Sequence, residues 1–86
     1  MDNNFIPSGF AANLKHYRKL RGLTTEKLAE QIGLNHSTIT RYELKLREPS
    51  TSILLQISNA LDISADDLIA DKTFFNNKGD WYKWNQ

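Results

Sequence analysis

The stretch TEKLAEQIGLNHSTITRYEL, residues 25–44, leaves this chain the least structural freedom. It reads as two short helices joined by a tight turn. Leu28, Ala29 and Ile32 recur at helical intervals of three and four. Gly33 supplies a left-handed residue that ends the first helix without Cβ strain, and beyond Leu34 stands Asn35, a good N-cap for the second. The second helix sets Ile39 and Tyr42 on one side. On a helical wheel centred on Ile39, Ser37, Arg41 and Leu44 fall opposite, with His36 and Thr40 on one flank and Thr38 on the other. A helix whose free face is short hydroxyls, an imidazole and an arginine is built to touch something polar.

The same residues carry a family resemblance. Ala29, Gly33, Ile39 and Tyr42 stand at the small, glycine, apolar and apolar positions of a DNA-binding helix-turn-helix. The wider run LAEQIGLNHSTITRYE, followed by Pro49, resembles the Cro/repressor-type (XRE-like) family of phage and bacterial regulators over roughly residues 10–70. The matching residues also make physical sense: Ala29 lets two helices cross closely, and Gly33 permits the turn. The resemblance implies an all-α fold, a five-helix bundle of the lambda-repressor-like DNA-binding type. It divides the chain into an N-terminal arm at 1–8, a helix-turn-helix domain at 9–70 and an aromatic C-terminal extension at 71–86.

Length and composition narrow the alternatives. At 86 residues there is room for one domain with a modest core, so oligomerisation is a reasonable way to add buried area. There is no cysteine, hence no disulfide framework and no thiolate metal site. No run of eighteen apolar residues exists, and MDNNFIPSGF lacks the basic start and apolar centre of a signal peptide, so a soluble, cytoplasmic protein is expected. The net charge of +1 conceals a polarity along the chain. Residues 10–50 hold Lys15, Arg18, Lys19, Arg21, Lys27, Arg41, Lys45 and Arg47 against Glu26, Glu30, Glu43 and Glu48. Residues 51–71 hold Asp62, Asp66, Asp67 and Asp71 with no Lys or Arg. One end of such a domain can face phosphate while the other turns away.

Taken in order, the chain opens with an arm in which Pro7 discourages helix just before it. Ser8 can cap a first helix to about Arg21, with Phe10, Leu14, Tyr17 and Leu20 as its core face and Gly22 as its stop. Arg18 lies beside that face. The resemblance implies an ion pair between Arg18 and Glu43, fastening the first helix to the third; read from the residues alone, Arg18 could equally be a surface or phosphate-contacting cation. Thr24 is the N-cap of the second helix, Glu26 lies in its first turn, and Lys27 stands where a capping-box acid is usual. The backbone N–H groups near Thr25, with its hydroxyl, would form a site for a DNA phosphate, as the resemblance also implies; an ordinary exposed helix start is the alternative. Lys45 occupies a position where the family commonly has glycine, so either Lys45 is left-handed or the third helix runs further. Ser50 caps a fourth helix of about residues 51–61, with Ile53, Leu54, Ile57 and Leu61 at helical spacing. Asp62 stands where a helix-ending glycine is frequent in the family, and Ser64 with Asp67 opens a short fifth helix toward Leu68 and Ile69.

The extension DKTFFNNKGDWYKWNQ holds five of the nine aromatics. Phe74 and Phe75 on one side of a turn-rich run, with Trp81, Tyr82 and Trp84 on the other, have the pattern of a small β-hairpin. The favoured reading is a dimer contact, since aromatics concentrate at interface cores. An intramolecular flap over the core is the other.

Other chemistries find no support in the residues. His16 and His36 lie about twenty residues apart with no carboxylate at a metal-ligand interval, no glycine-rich phosphate loop is present, and no nucleophile, base and orienter stand together. No enzyme, metal or cofactor is expected. The expected function is a transcriptional regulator, a repressor that binds double-stranded DNA as a homodimer on an inverted repeat. Its recognition helix enters the major groove by its N-terminal end, with two copies about 34 Å apart. Arg41, Ser37, His36 and Asn35 are the candidate base readers, while Thr25, Thr38, Thr40, Lys45 and Arg47 are the candidate phosphate contacts; Asn35, Thr38 and Thr40 could serve base or phosphate. Two alternatives stay open. One is an antitoxin that represses its own operon and docks a toxin, with an antirepressor as another such protein partner. The other is an interaction module that has kept the fold without DNA affinity.

Overall fold

A computed structural model describes residues 9–70. Five helices follow one another: α1 (Gly9–Leu20), α2 (Thr25–Ile32), α3 (His36–Glu43), α4 (Thr51–Leu61) and α5 (Ala65–Ile69). Each of the three visible hydroxyl caps acts as its sequence position predicts. Thr24 accepts the Lys27 N–H at 3.0 Å, Ser50 the Ile53 N–H at 3.2 Å and Ser64 the Asp67 N–H at 3.0 Å. Asn35 occupies the N-cap position of α3 with extended backbone but makes no side-chain cap bond. Ser8 and the extension at 71–86 lie outside the described residues, as do the hairpin and dimer-contact expectations for Phe74, Phe75, Trp81, Tyr82 and Trp84.

The first four helices end in the same turn. In each, a left-handed residue donates its N–H three residues back, and its successor donates five back: Leu23 to Arg18 at 3.0 Å, Leu34 to Ala29 at 2.9 Å, Leu46 to Arg41 at 2.8 Å and Ile63 to Ser58 at 3.1 Å. The left-handed residues are Gly22 and Gly33, both with φ of 74°, then Lys45 at 64° and Asp62 at 56°. The alternative in which α3 runs on past Glu43 is thereby settled: Lys45 takes the strained conformation. A Cβ at Gly22 or Gly33 would meet nothing within 4 Å, so φ alone favours glycine there.

The core consists of Phe10, Leu14, Leu28, Ala29, Ile39, Tyr42, Ile57, Leu61 and Leu68, drawn from all five helices. Tyr17, Ile32 and Leu54, expected within it, are partly buried and pack against its edge. Leu20 departs from expectation: it is 60% exposed. It is the last residue of α1, and the turn at Gly22 swings the chain back so that Leu23 packs against the core instead. The fully buried Ile39 and nearly buried Tyr42 fix the rotation of α3, and Tyr42 meets Phe10 edge-on at 6.2 Å.

Candidate nucleic-acid interface

Helix α1 serves as a hub. Arg18 forks onto Glu43, with Nε 2.6 Å from Oε2 and Nη2 3.1 Å from Oε1, and its Nη1 donates to the Leu23 carbonyl at 2.7 Å. The two side chains are 9% and 8% exposed, so the pair is nearly out of water and the surface-cation reading of Arg18 is excluded. Two further contacts escaped the sequence. Asn13, fully buried, donates through Nδ2 to the carbonyls of Leu68 at 2.9 Å and Ala70 at 2.7 Å, closing the end of α5. Arg21 donates to the Leu61 carbonyl at 2.7 Å and the Asp62 carbonyl at 3.2 Å, capping α4. A basic residue one turn past an apolar stripe is the only signal for Arg21. Asn13 had none, because polar side chains near the core read as surface.

These bonds sort the cations. Arg18 and Arg21 belong to the frame, whereas Lys15, Lys19, Lys27, Arg41, Lys45 and Arg47 are exposed. Lys27 lies 3.8 Å from Glu30, both largely solvated, which leaves its charge available.

On α3, Asn35, His36 and Arg41 are exposed, while Ser37, Thr38 and Thr40 are half-buried along the sides of the same helix. The Thr40 hydroxyl donates to the His36 carbonyl one turn back at 3.2 Å. Thr38, on the other flank, has no such bond to its helix. Beyond the helix, Lys45 and Arg47 are exposed on the loop that leads to buried Pro49, with exposed Glu48 between them and the proline.

The start of α2 abuts this face. Thr25 is half-buried and its hydroxyl donates to Glu26 Oε1 at 3.3 Å. The Glu26 carboxyl is held below the usual carboxylate range, first by its own backbone N–H; desolvation opposes this, and the Thr25 hydroxyl, the His36 ring and the Thr24 hydroxyl add to it. An acidic side chain thus sits at the N–H groups expected to hold phosphate, and a phosphate arriving there must displace it.

Two helices fixed at a tight glycine turn, the second presenting a polar stripe beside a basic loop, define a DNA-binding helix-turn-helix. Comparison with known proteins agrees. The family described as helix-turn-helix matches residues 14–68, and the chain belongs to it. Its members are DNA-binding transcriptional regulators and not enzymes. The chain is 43% identical over 60 residues to an uncharacterized HTH-type transcriptional regulator, YqaE, of Bacillus subtilis, covering 70% of this chain and 52% of that protein. It is 33% identical over 69 residues to the control protein C.SmaI of Serratia marcescens, covering 80% and 82% of the two. Among solved structures, the restriction-modification controller protein C.AhdI of Aeromonas hydrophila superposes with a TM-score of 0.66 at 34% identity, over 69% of this chain and 89% of that one. The chain spans about half the length of YqaE and 44% of a second B. subtilis relative, ImmR. Among the described residues no helix is long and apolar enough to cross a membrane.

Proposed function

We propose that this regulator represses transcription by occupying an inverted repeat in double-stranded DNA as a homodimer in the cytoplasm. The observation that carries the reading is the locked polar face of α3. Ile39 and Tyr42 are buried and Glu43 is forked by Arg18, so Arg41 and His36 are held outward in one orientation. A face held that firmly suits base readout, where a bidentate arginine needs a defined approach to guanine. Arg41 is the proposed guanine reader; Ser37, His36 and Asn35, at the N-terminal end that enters the groove, are the further proposed base readers. Thr25, Thr38, Lys45 and Arg47 supply phosphate contacts that set register and carry no sequence information. Domain 9–70 carries the reading. Two copies are needed for two half-sites about 34 Å apart, and the extension 71–86, with Phe74, Phe75, Trp81, Tyr82 and Trp84, is the proposed dimer contact. The frame residues Arg18 and Glu43 act through α3 and touch no DNA.

Selection from a randomised duplex library near physiological salt tests this. Recovery of an inverted repeat with half-sites one helical turn apart is the expected result, and a folded protein that recovers no motif overturns it. On the recovered site, Arg41→Ala is expected to cost about 1–3 kcal/mol and to relax preference at one base pair per half-site. Arg47→Ala is expected to weaken all sequences alike and lower the salt slope by about one. A slope that stays unchanged moves Arg47 off the phosphates.

A further inference from the structure

Among the hydroxyls on α3, Thr40 is set apart by where its proton goes. A phosphate oxygen accepts hydrogen bonds and cannot donate, so a threonine holds phosphate only through its hydroxyl proton. That proton is directed to the His36 carbonyl at 3.2 Å. Redirecting it to a phosphate breaks the bond and trades one acceptor for another. Without such a trade Thr40 offers a neighbour its methyl, or its oxygen lone pairs to a donor, and neither suits a phosphate.

Its position favours the same conclusion. Thr40 is one helical turn beyond His36, so the two lie on the same flank of α3. Half-buried, it stands beside the reading face rather than at its centre. A helix seated in the major groove turns its flanks toward the sugar-phosphate walls, and the thymine C5-methyl projects from the groove floor beside the wall of its own strand. Threonine methyl against thymine methyl is a recognised apolar contact there. Sequence position alone leaves Thr40 and Thr38 alike, each able to serve base or phosphate. The hydrogen bond separates the two flanks: the Thr38 hydroxyl makes no bond to its helix and keeps a proton to donate.

We propose that Thr40 is a specificity-determining residue that reads a thymine in each half-site through its Cγ2 methyl, while its hydroxyl stays bonded to the helix. This assignment rests on α3 being the base-reading helix. It predicts discrimination between thymine and deoxyuridine, which differ only by the C5-methyl, at one position per half-site.

The test uses the full chain and the duplex recovered by selection, with each thymine replaced in turn by deoxyuridine. Wild type is expected to lose affinity about three- to fivefold at one thymine per half-site, the scale of one buried methyl. Thr40→Ser, which removes only the methyl, is expected to bind the thymine and deoxyuridine duplexes equally at that position. Thr40→Val, which keeps a methyl and removes the hydroxyl, is expected to retain the discrimination. If Thr40→Val instead weakens every sequence alike, with the salt slope unchanged, while Thr40→Ser behaves as wild type, the hydroxyl holds phosphate and the proposal fails. Wild type indifferent to deoxyuridine at every position, on a motif it does select, overturns this assignment alone. A folded wild type that selects no motif overturns the reading of α3 as well.

Discussion

Helix α1 holds the reading helix differently from the way it holds the two helices behind it. Toward α3 it uses charge on both sides, with two bonds of 2.6 and 3.1 Å between the Arg18 fork and the Glu43 carboxylate. Toward α5 it uses the neutral amide of Asn13 on main-chain carbonyls, and in the turn just past its end the exposed Arg21 reaches the carbonyls that end α4. The two devices differ in what they demand. A planar fork on a carboxylate fixes direction in two dimensions, so it resists rotation of α3 as well as its departure. A carbonyl cap satisfies orphan acceptors and ties down a helix end, with less to say about rotation. The lock is thus placed where angular error would misdirect Arg41, the proposed base reader. The caps are placed where only docking matters.

Three changes break or sharpen that contrast. The largest expected effect is on the charged seam: Arg18→Ala leaves the Glu43 carboxylate nearly buried and unpaired, at a cost of about 3–5 kcal/mol in urea unfolding. The paired replacement Arg18→Met with Glu43→Leu is expected to recover most of that stability while still reducing sequence discrimination, because packing returns and the directional lock does not. Full recovery of both would show that the pair contributes no orientation. Next comes the neutral seam. Asn13→Ala strips the amide from the α5 carbonyls and is expected to cost about 2 kcal/mol, with amide exchange accelerating first in α5. The measured loss is expected to fall short of a full set of bonds, because Asn13 Oδ1 is itself buried without a partner among the described residues and the change removes that penalty too. Smallest, and of opposite sign, is Lys45→Gly. Relief of the left-handed strain at φ 64° is expected to stabilise the fold by about 0.5–1 kcal/mol, read as a rise in thermal midpoint. The same change removes a phosphate contact, so DNA affinity is expected to fall as stability rises.

The helices were legible because their signals are local. Thr24, Ser50 and Ser64 precede helices and accept the expected N–H groups, and Gly33 closes α2 as its lack of a side chain allows. Lys45 and Asp62 occupy the same left-handed turn without the residue that advertises it. Their backbone is imposed by their neighbours further along the chain, which must turn there to place buried Pro49 and the half-buried Ile63. Leu20 belongs to an apolar helical repeat, but the repeat cannot report that the core ends before the helix does. For the site, the residue types on α3 were legible and the engagement of their hydrogens was not. Thr38 and Thr40 look alike in sequence and differ in whether a carbonyl one turn back takes the hydroxyl proton.

By itself the sequence determined the helix-turn-helix, the order of five helices, the apolar face of each and the polar stripe of α3, because periodicity and capping act over one or two turns. Tertiary structure alone decided which cations are frame and which are free. It took the Arg18 charge to Glu43, sent Arg21 to the end of α4 and enclosed Asn13 against α5. These contacts join residues at least 25 positions apart. Charge and hydrogen-bonding capacity are written in the residue type, but a partner is chosen by distance and burial, which exist only once the chain has folded.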